Sequence, residues 1–315
     1  MQKSHLYTLY LCIVILFGCF FYLFSVHDQI PRVEFQREGT STPNTYLKAA
    51  DQPFSKVNIF ELPEGLNFAG EPVPMNQPDV MERFEREIYV NAYWHSNTLL
   101  LMKRGGKFLP TIEKILAENG IPDDFKYVAL IESGLMNVVS PAGARGFWQF
   151  MEGTAKERGL EVNKEVDERY HFIKATQAAC KYLQNAYARF GNWTSVAASY
   201  NMGIAGLTRS KNSQKMTDFY SLLLNEETSR YIFRILAVKE IFENPGKYGF
   251  ELQTSDLYTM PLMREIVVTN TIDNLADWAI RHNSNYKELK IYNPWLRSTK
   301  LTVSKGRSYQ LVLPT

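Results

Sequence analysis

The stretch FKYVALIESGLMNVVSPAGARGFWQF, residues 125–150, contains the pattern that decides the fold. Its first eight residues form a short, mainly apolar segment with a helical pattern, and the segment ends in one carboxylate, Glu132. On a helix, Glu132 shares a face with Phe125, Val128 and Ala129, at spacings of seven, four and three residues. A glycine-rich loop and an aromatic-rich segment follow. The pattern therefore predicts an acid on an apolar stripe, directly before a loop.

Two physical effects act on a glutamate in that place. Removal from water and the negative end of the helix dipole both disfavour the charged form, so both raise the pKa of Glu132. A carboxylic acid that stays protonated near neutral pH suits general acid catalysis. The alternative is a glutamate that turns into solvent at a frayed helix end, and the spacing alone leaves both interpretations open.

The N-terminal segment, residues 1–26, has the composition of a membrane anchor. Residues 6–26 contain no charge, and Lys3 precedes them. This run is long enough to span a bilayer and longer than the apolar part of a cleaved signal peptide. We expect an uncleaved anchor with the bulk of the chain exported. A lipoprotein processed at Cys19 and an ordinary signal peptide remain alternatives.

The remaining chain divides into three regions. Residues 27–78 hold half of the 14 prolines and are predicted to be mainly a linker. Residues 79–250 show helical periodicity throughout, with Asp79 as the first N-cap and a first helix that ends at Gly105-Gly106. Residues 262–315 have a β-α-α-β pattern. The fold class is therefore predicted as mainly α, with an all-α domain followed by a small β-α-α-β domain.

Bulk composition excludes several classes of function. The net charge is +2, with no basic stripe, so we expect no nucleic-acid partner. The five histidines show no metal-ligand spacing, and no metal or other cofactor is expected. Of the three cysteines, Cys180 alone lies outside the N-terminal apolar run, which rules out a disulfide framework.

The motifs after Glu132 resemble those of the lytic transglycosylases of the goose-lysozyme-like superfamily, glycoside hydrolase family 23. The closest likeness is to the membrane-bound murein transglycosylase D type, and it covers roughly residues 80–245. Minor departures are Ser199 in place of an alanine and Phe147-Trp148 in place of Leu-Met. The ordered motifs that carry the likeness are Glu132-Ser133, Ser140 to Gly146, Gly146 to Gln149, Thr154-Ala155, Ser199 to Gly203, and Glu227 to Tyr231.

The resemblance implies a lysozyme-like all-α catalytic domain that cleaves the bond between N-acetylmuramic acid and N-acetylglucosamine without water. It implies Glu132 as the general acid and base, and 1,6-anhydro ends as the product. Glu152 and Glu157 are expected to be solvated, and Trp94, Trp148 and Trp193 are expected in the core. The residues expected to bind the glycan are Ser133, Ser140, Gln149, Tyr200, Asn201 and Tyr231, and the two tyrosines could bracket either the acid or the reacting sugar.

The C-terminal region, residues 262–315, resembles a LysM domain. Its start departs from that family, because Thr269-Asn270-Thr271-Ile272 stands where Gly-Asp-Thr-Leu is usual. A role in glycan binding and a role in packing or spacing both remain open.

These expectations place the protein in the cell envelope, on the periplasmic side, with peptidoglycan glycan strands as its partner and the membrane contacted by the N-terminal segment. Two other functions remain as alternatives. A muramidase on the same scaffold would hydrolyse the same bond with water, and an inactive scaffold would only bind peptidoglycan. The intact set of Glu132, Gln149 and Tyr200-Asn201 argues against the inactive scaffold.

Overall fold

The structure, a computed structural model, describes residues 58–315. The predicted anchor, residues 1–26, and residues 27–57 of the predicted linker lie outside the described residues. Among residues 58–315, no helix combines the length and the apolar character needed to cross a membrane.

The larger domain of the described chain is helical, and its helices pack around one hydrophobic core. Fully buried side chains on three of them, Phe84, Leu183 and Ile235, belong to the same hydrophobic cluster. The helices are α1 Pro78–Tyr93, α2 His95–Glu118, α3 Lys126–Ser133, α4 Glu152–Glu157, α5 Phe172–Phe190, α6 Trp193–Met202, α7 Ile204–Gln214 and α8 Glu226–Glu243.

Two predicted helix boundaries are wrong. Helix α1 begins at Pro78 after Gln77, and Asp79 lies in its first turn, where it pairs with Arg83 at 3.2 Å. The predicted first helix is interrupted at Trp94. The next helix, α2, begins at His95 and runs through Gly105-Gly106 to Glu118. A Cβ on Gly106 would lie 2.6 Å from Cβ of Leu257, so this glycine allows two segments to approach rather than ending the helix.

The last part of the predicted linker is folded onto the helical domain. Strands β1 (Asn67–Phe68) and β2 (Glu71–Pro72) form an antiparallel hairpin. Phe68 is fully buried and packs edge-on against Phe125, with ring centroids 5.2 Å apart. The carboxylate of Glu71 accepts hydrogen bonds from the backbone N–H groups of Trp193 and Thr194, at 2.6 and 2.9 Å, and so caps α6. The linker prediction therefore fails for this stretch, because tertiary contacts stabilise a hairpin too short to show a strand pattern.

The C-terminal module, residues 263–314, has the predicted β-α-α-β order. It consists of β3 (Met263–Val268), α9 (Leu275–Arg281), α10 (Tyr286–Tyr292) and β4 (Tyr309–Pro314). The two strands pair antiparallel from Met263↔Pro314 to Val268↔Tyr309. Leu275, Leu289 and Leu311 are fully buried in a second hydrophobic core. The prediction of a mainly α protein with a small β-α-α-β unit is confirmed.

Candidate active site

Helix α3 places Glu132 one residue before its end. The helix is anchored by Val128 and Ala129, both fully buried, and by Phe125 just before it. It ends at Ser133, and the N–H of Gly134 donates to Leu130 O at 2.8 Å. Glu132 itself is only partly buried, so the side chain at the end of the apolar stripe keeps some exposure to solvent.

Helix α8 supplies the direct partner of Glu132. Tyr231 is 1% exposed, and its hydroxyl donates a hydrogen bond of 2.5 Å to Oε1 of Glu132. Within residues 58–315, Oε2 of Glu132 is in no hydrogen bond, so this oxygen can carry a proton. One turn further along α8, Arg234 donates to Ile131 O at 3.0 Å and brings a positive charge close to the site.

Removal from water raises the pKa of Glu132 above its ordinary value. The negative charge of Glu227 acts in the same direction, whereas the Tyr231 hydrogen bond and the Arg234 charge lower the pKa. Burial and the nearby Glu132 charge also raise the pKa of Tyr231 well above 10.0, so the phenol stays neutral and remains a donor. The direction predicted for Glu132 from the sequence agrees with this arrangement.

Tyr200 on α6 lies near Glu132 but hydrogen-bonds elsewhere. Its hydroxyl donates to Trp148 O at 2.7 Å, and its ring packs against Trp148 with a centroid distance of 6.2 Å. Burial, followed by the Glu132 charge, raises the pKa of Tyr200 well above 10.0. Tyr200 therefore holds the loop that follows α3 against the helical domain.

Three of the predicted binding residues are engaged with backbone atoms of that loop. Ser133 is buried, and its hydroxyl donates to Phe147 O at 2.9 Å. Oγ of Ser140 accepts from the N–H of Ala144 at 3.0 Å. Gln149 has a φ of 46° and donates from Nε2 to Gly146 O at 2.8 Å. Within residues 58–315, neither Ser140 nor Gln149 is hydrogen-bonded to Glu132.

Asn201 connects the end of α6 to the start of α8. Its Nδ2 donates to Oε1 of Glu227 at 3.0 Å, and its Oδ1 accepts from Thr228 Oγ1 at 2.7 Å. Asn201 is therefore oriented by side chains on both ends of its amide. The same contact fixes the carboxylate of Glu227, whose charge acts on Glu132.

A cleft of about 730 Å³ borders the end of α3. Its lining includes Gly134 and Met136, which follow α3, and Glu227 and Arg234 on α8. Trp94, which is 58% exposed, adds an aromatic surface to the same cleft. The cleft is thus lined partly by apolar and partly by charged side chains.

Trp94, Glu227 and Arg234 were missed as candidates from the sequence. The prediction that Trp94 belongs to the core is wrong, whereas Trp148 is fully buried as predicted. Arg234 follows Tyr231 by three residues on one helix, and this spacing is a signal that could have identified it. Glu227 lies within a quoted motif, but its contact with Asn201 depends on tertiary structure.

The predicted solvated acids lie at the surface. Glu152 and Glu157 are exposed, and Lys156 pairs with Glu152 at 2.6 Å and lowers the pKa of that carboxyl. In the described part of the chain, no cluster of three or more His, Cys, Asp or Glu side chains is placed to hold a metal ion.

Comparison with known proteins identifies two domain families in the chain. Residues 110–223 match the family described as transglycosylase SLT domain. Residues 264–315 match the soluble lytic transglycosylase C-terminal LysM-like domain. The resemblance to lytic transglycosylases is thereby confirmed.

Two curated relatives are similar over most of the chain. They are the membrane-bound lytic murein transglycosylase D of Escherichia coli (strain K12) and the protein of the same name from Escherichia coli O6:H1 (strain CFT073). Each is 26% identical over 254 residues, which are 78% of this chain and 54% of the relative. The chain thus spans about half the length of the curated relatives it matches. It carries a transglycosylase SLT domain followed by a LysM-like domain of the soluble lytic transglycosylase C-terminal family.

Proposed function

We propose that this protein is a peptidoglycan lytic transglycosylase with Glu132 as its only acid and base. The observation that carries the proposal is the partly buried Glu132, with its raised pKa and its hydrogen bond of 2.5 Å from Tyr231. The SLT domain match and the names of the two E. coli relatives support the same activity. The substrate is the glycan strand of peptidoglycan.

The reaction starts with Glu132 protonated. Its proton moves to the oxygen that links N-acetylmuramic acid to N-acetylglucosamine, and the bond from that oxygen to C1 of the muramic residue breaks. The N-acetyl group of the substrate stabilises the positive charge that develops at C1. Ionised Glu132 then takes the proton from the 6-hydroxyl, O6 bonds to C1, and a 1,6-anhydro ring closes. No water is consumed, and Glu132 ends the cycle protonated as it began.

Tyr231 and Arg234 suit the second half of that cycle. Once Glu132 has lost its proton, the Tyr231 hydroxyl and the Arg234 charge stabilise the carboxylate, whereas desolvation favours return of the proton. Glu132 thus has surroundings that favour its protonated form and others that favour its carboxylate, and a group that both donates and accepts a proton uses both forms. A second carboxylate of the kind that paired-acid glycosidases use has no candidate in Glu152, which is exposed and paired with Lys156.

We assign glycan contacts to the cleft beside α3 and to the loop after it. Trp94 supplies an aromatic surface on which an apolar sugar face can pack. Gln149 holds a left-handed backbone conformation, which is unfavourable for a residue other than glycine and is typical of functional loops. Ser133, Ser140 and Tyr200 hold this loop in shape, and Asn201 orients Glu227.

The location that fits this function is the cell envelope, on the periplasmic side, where peptidoglycan lies. The uncharged run in residues 6–26 is proposed as the membrane anchor, with lipid attachment at Cys19 as the alternative. The two E. coli relatives are named as membrane-bound enzymes, which supports membrane attachment of this chain as well.

Mass spectrometry of the products tests the proposal against hydrolysis. The full chain, purified in detergent, is incubated with purified peptidoglycan, and the released fragments are compared with those from a hydrolytic muramidase. A transglycosylase gives fragments one water lighter, with no reducing muramic end. Reducing-end products would establish a muramidase instead, and binding without release would establish an inactive scaffold.

A further inference from the structure

The C-terminal module is joined by backbone pairing to a hairpin of the helical domain, residues 161–170. Val166 pairs antiparallel with Leu296. On either side of this pair, Asp167 N donates to Trp295 O at 2.9 Å, and Arg297 N donates to Glu165 O at 2.7 Å. Backbone pairing of this kind fixes the register of the two segments and the distance between them, which contacts between flexible side chains do not.

Apolar and polar side chains strengthen the same junction. Val166 and Tyr170 are buried in the hydrophobic core of the module rather than in the core of the helical domain. The guanidinium of Arg297 lies over the Tyr170 ring, 4.4 Å from its centroid. Glu165 accepts from Thr302 N at 2.7 Å and pairs with Lys300 at 3.1 Å. The hairpin therefore depends on the module for its burial.

The other side of the hairpin supports the loop after α3. Asp167 and Arg169 are both buried, and the Arg169 guanidinium donates two hydrogen bonds to the Asp167 carboxylate, of 2.9 and 2.8 Å. Arg169 also donates to Phe150 O at 3.3 Å. Its carbonyl oxygen lies so close to Gly146 that a Cβ there would be 1.8 Å away. The Asp167 ion pair holds Arg169 in place on the hairpin. Because Arg169 in turn contacts Phe150 O and approaches Gly146, a shift of the hairpin displaces the loop.

The loop in turn touches the helix that carries Glu132. Phe147 O accepts from Ser133, the residue next to Glu132, and Trp148 O accepts from Tyr200. A continuous series of buried contacts therefore runs from the module, through the hairpin and the loop, to the end of α3.

We infer that the C-terminal module positions the active site: by holding the 161–170 hairpin, it fixes the loop that carries Gln149. This inference rests on the proposed function. It assigns the module a contribution to kcat on any substrate, including one too short to reach the module. A module that only binds glycan would instead change KM, and only for long strands.

The test uses Glu165, which contacts the module but lies outside the loop and the cleft. Glu165→Ala removes the acceptors for Thr302 and Lys300, whereas Glu165→Gln keeps an acceptor for Thr302 N. Glu251→Ala, at an exposed position, is the control for an ordinary surface substitution. Asp273 is also exposed and lies in a cleft of about 440 Å³ on the module, so Asp273→Ala tests glycan binding by the module itself. Each full-length variant is assayed on intact peptidoglycan and on a soluble tetrasaccharide fragment, and its melting temperature is recorded.

For Glu165→Ala we expect kcat on the tetrasaccharide to fall roughly tenfold, with KM within about twofold of wild type, because misplacement of reacting groups lowers the rate of the chemical step. Glu165→Gln should recover most of this loss, and Glu251→Ala should match wild type. Unchanged kcat in Glu165→Ala would overturn the inference. So would a rise in KM for intact peptidoglycan alone, shared with Asp273→Ala. A wild-type protein that releases nothing from either substrate would overturn the proposed function, and this inference with it.

Discussion

The hydroxyl of Tyr231 donates a hydrogen bond of 2.5 Å to Oε1 of Glu132, and these two side chains lie 99 residues apart in the chain. Tyr231 is buried on α8, while Glu132 ends the apolar stripe of α3. The pair thus joins a fixed donor to an acid whose charged form is disfavoured by desolvation. A reaction in which one carboxyl gives up and regains a proton depends on this balance.

Tyr231→Phe should change the pH dependence of the reaction. Its hydrogen bond lowers the pKa of Glu132, so its loss raises that pKa further. Because the first step needs protonated Glu132, we expect the high-pH limb of kcat/KM to move to higher pH. Tyr248→Phe is a matched control, since Tyr248 is also buried and donates to a glutamate, Glu240, at 2.9 Å. An unchanged limb in Tyr231→Phe would show that this contact does not tune the acid.

Arg234 should tune the same acid through its charge. Arg234 lowers the pKa of Glu132, so Arg234→Gln should also move the high-pH limb of kcat/KM to higher pH. Arg234→Lys keeps the positive charge and should leave the limb close to its wild-type position. If the high-pH limb moved by the same amount in both variants, the hydrogen bond from Arg234 to Ile131 O would matter rather than the charge. If it moved in neither, Arg234 would not tune the acid.

The local part of the site could be predicted from the sequence. The spacing of Phe125, Val128 and Ala129 predicted the buried face of α3, and Glu132 lies at its end. Helical periodicity over residues 79–250 predicted the all-α domain, and the β-α-α-β pattern over residues 262–315 predicted the small second domain. These features depend on neighbours within one or two turns, and periodicity records such neighbours directly.

Features that depend on distant contacts could not be predicted. The 67–72 hairpin is stabilised by Phe125 and by the start of α6, and its own pattern is only two residues per strand. The pair Gly105-Gly106 resembles a helix end, because glycine disfavours helices. In the structure the helix continues, and the close approach of Leu257 requires a glycine at position 106. The pairing of Val166 with Leu296 joins two domains, so no local sequence pattern predicts it.

Gly146→Ala should destabilise the fold far more than Gly143→Ala. Both glycines have positive φ, 78° and 87°, so the conformational cost of a side chain is similar at the two positions. A Cβ at Gly146 would meet Arg169 O at 1.8 Å, whereas nothing lies within 4 Å of one at Gly143. We expect Gly143→Ala to cost about 1 kcal/mol and Gly146→Ala at least about 3 kcal/mol of unfolding free energy, measured by urea denaturation. Equal costs would contradict the close approach of the hairpin to the loop.

Glu132→Gln should make the protein more stable at neutral pH. The folded state raises the pKa of Glu132 above 4.5, so wild type loses stability as the pH rises from 4.5 through the folded pKa. Glutamine does not titrate and can still accept from Tyr231, so it avoids that loss. The gain should therefore be present at pH 7 and absent below pH 4.5, as measured by denaturation at both pH values. Glu152→Gln should show no such gain, because the pKa of Glu152 is lowered.

The most direct test of a single acid and base is the rate at which Glu132→Gln releases 1,6-anhydro products from purified peptidoglycan. We expect a fall of at least about 10³-fold, because one residue performs both proton transfers. For Glu152→Gln, a substitution at the surface, we expect rates within about twofold of wild type. Substantial release by Glu132→Gln, or loss of release in Glu152→Gln, would contradict the role of Glu132 as the single acid and base.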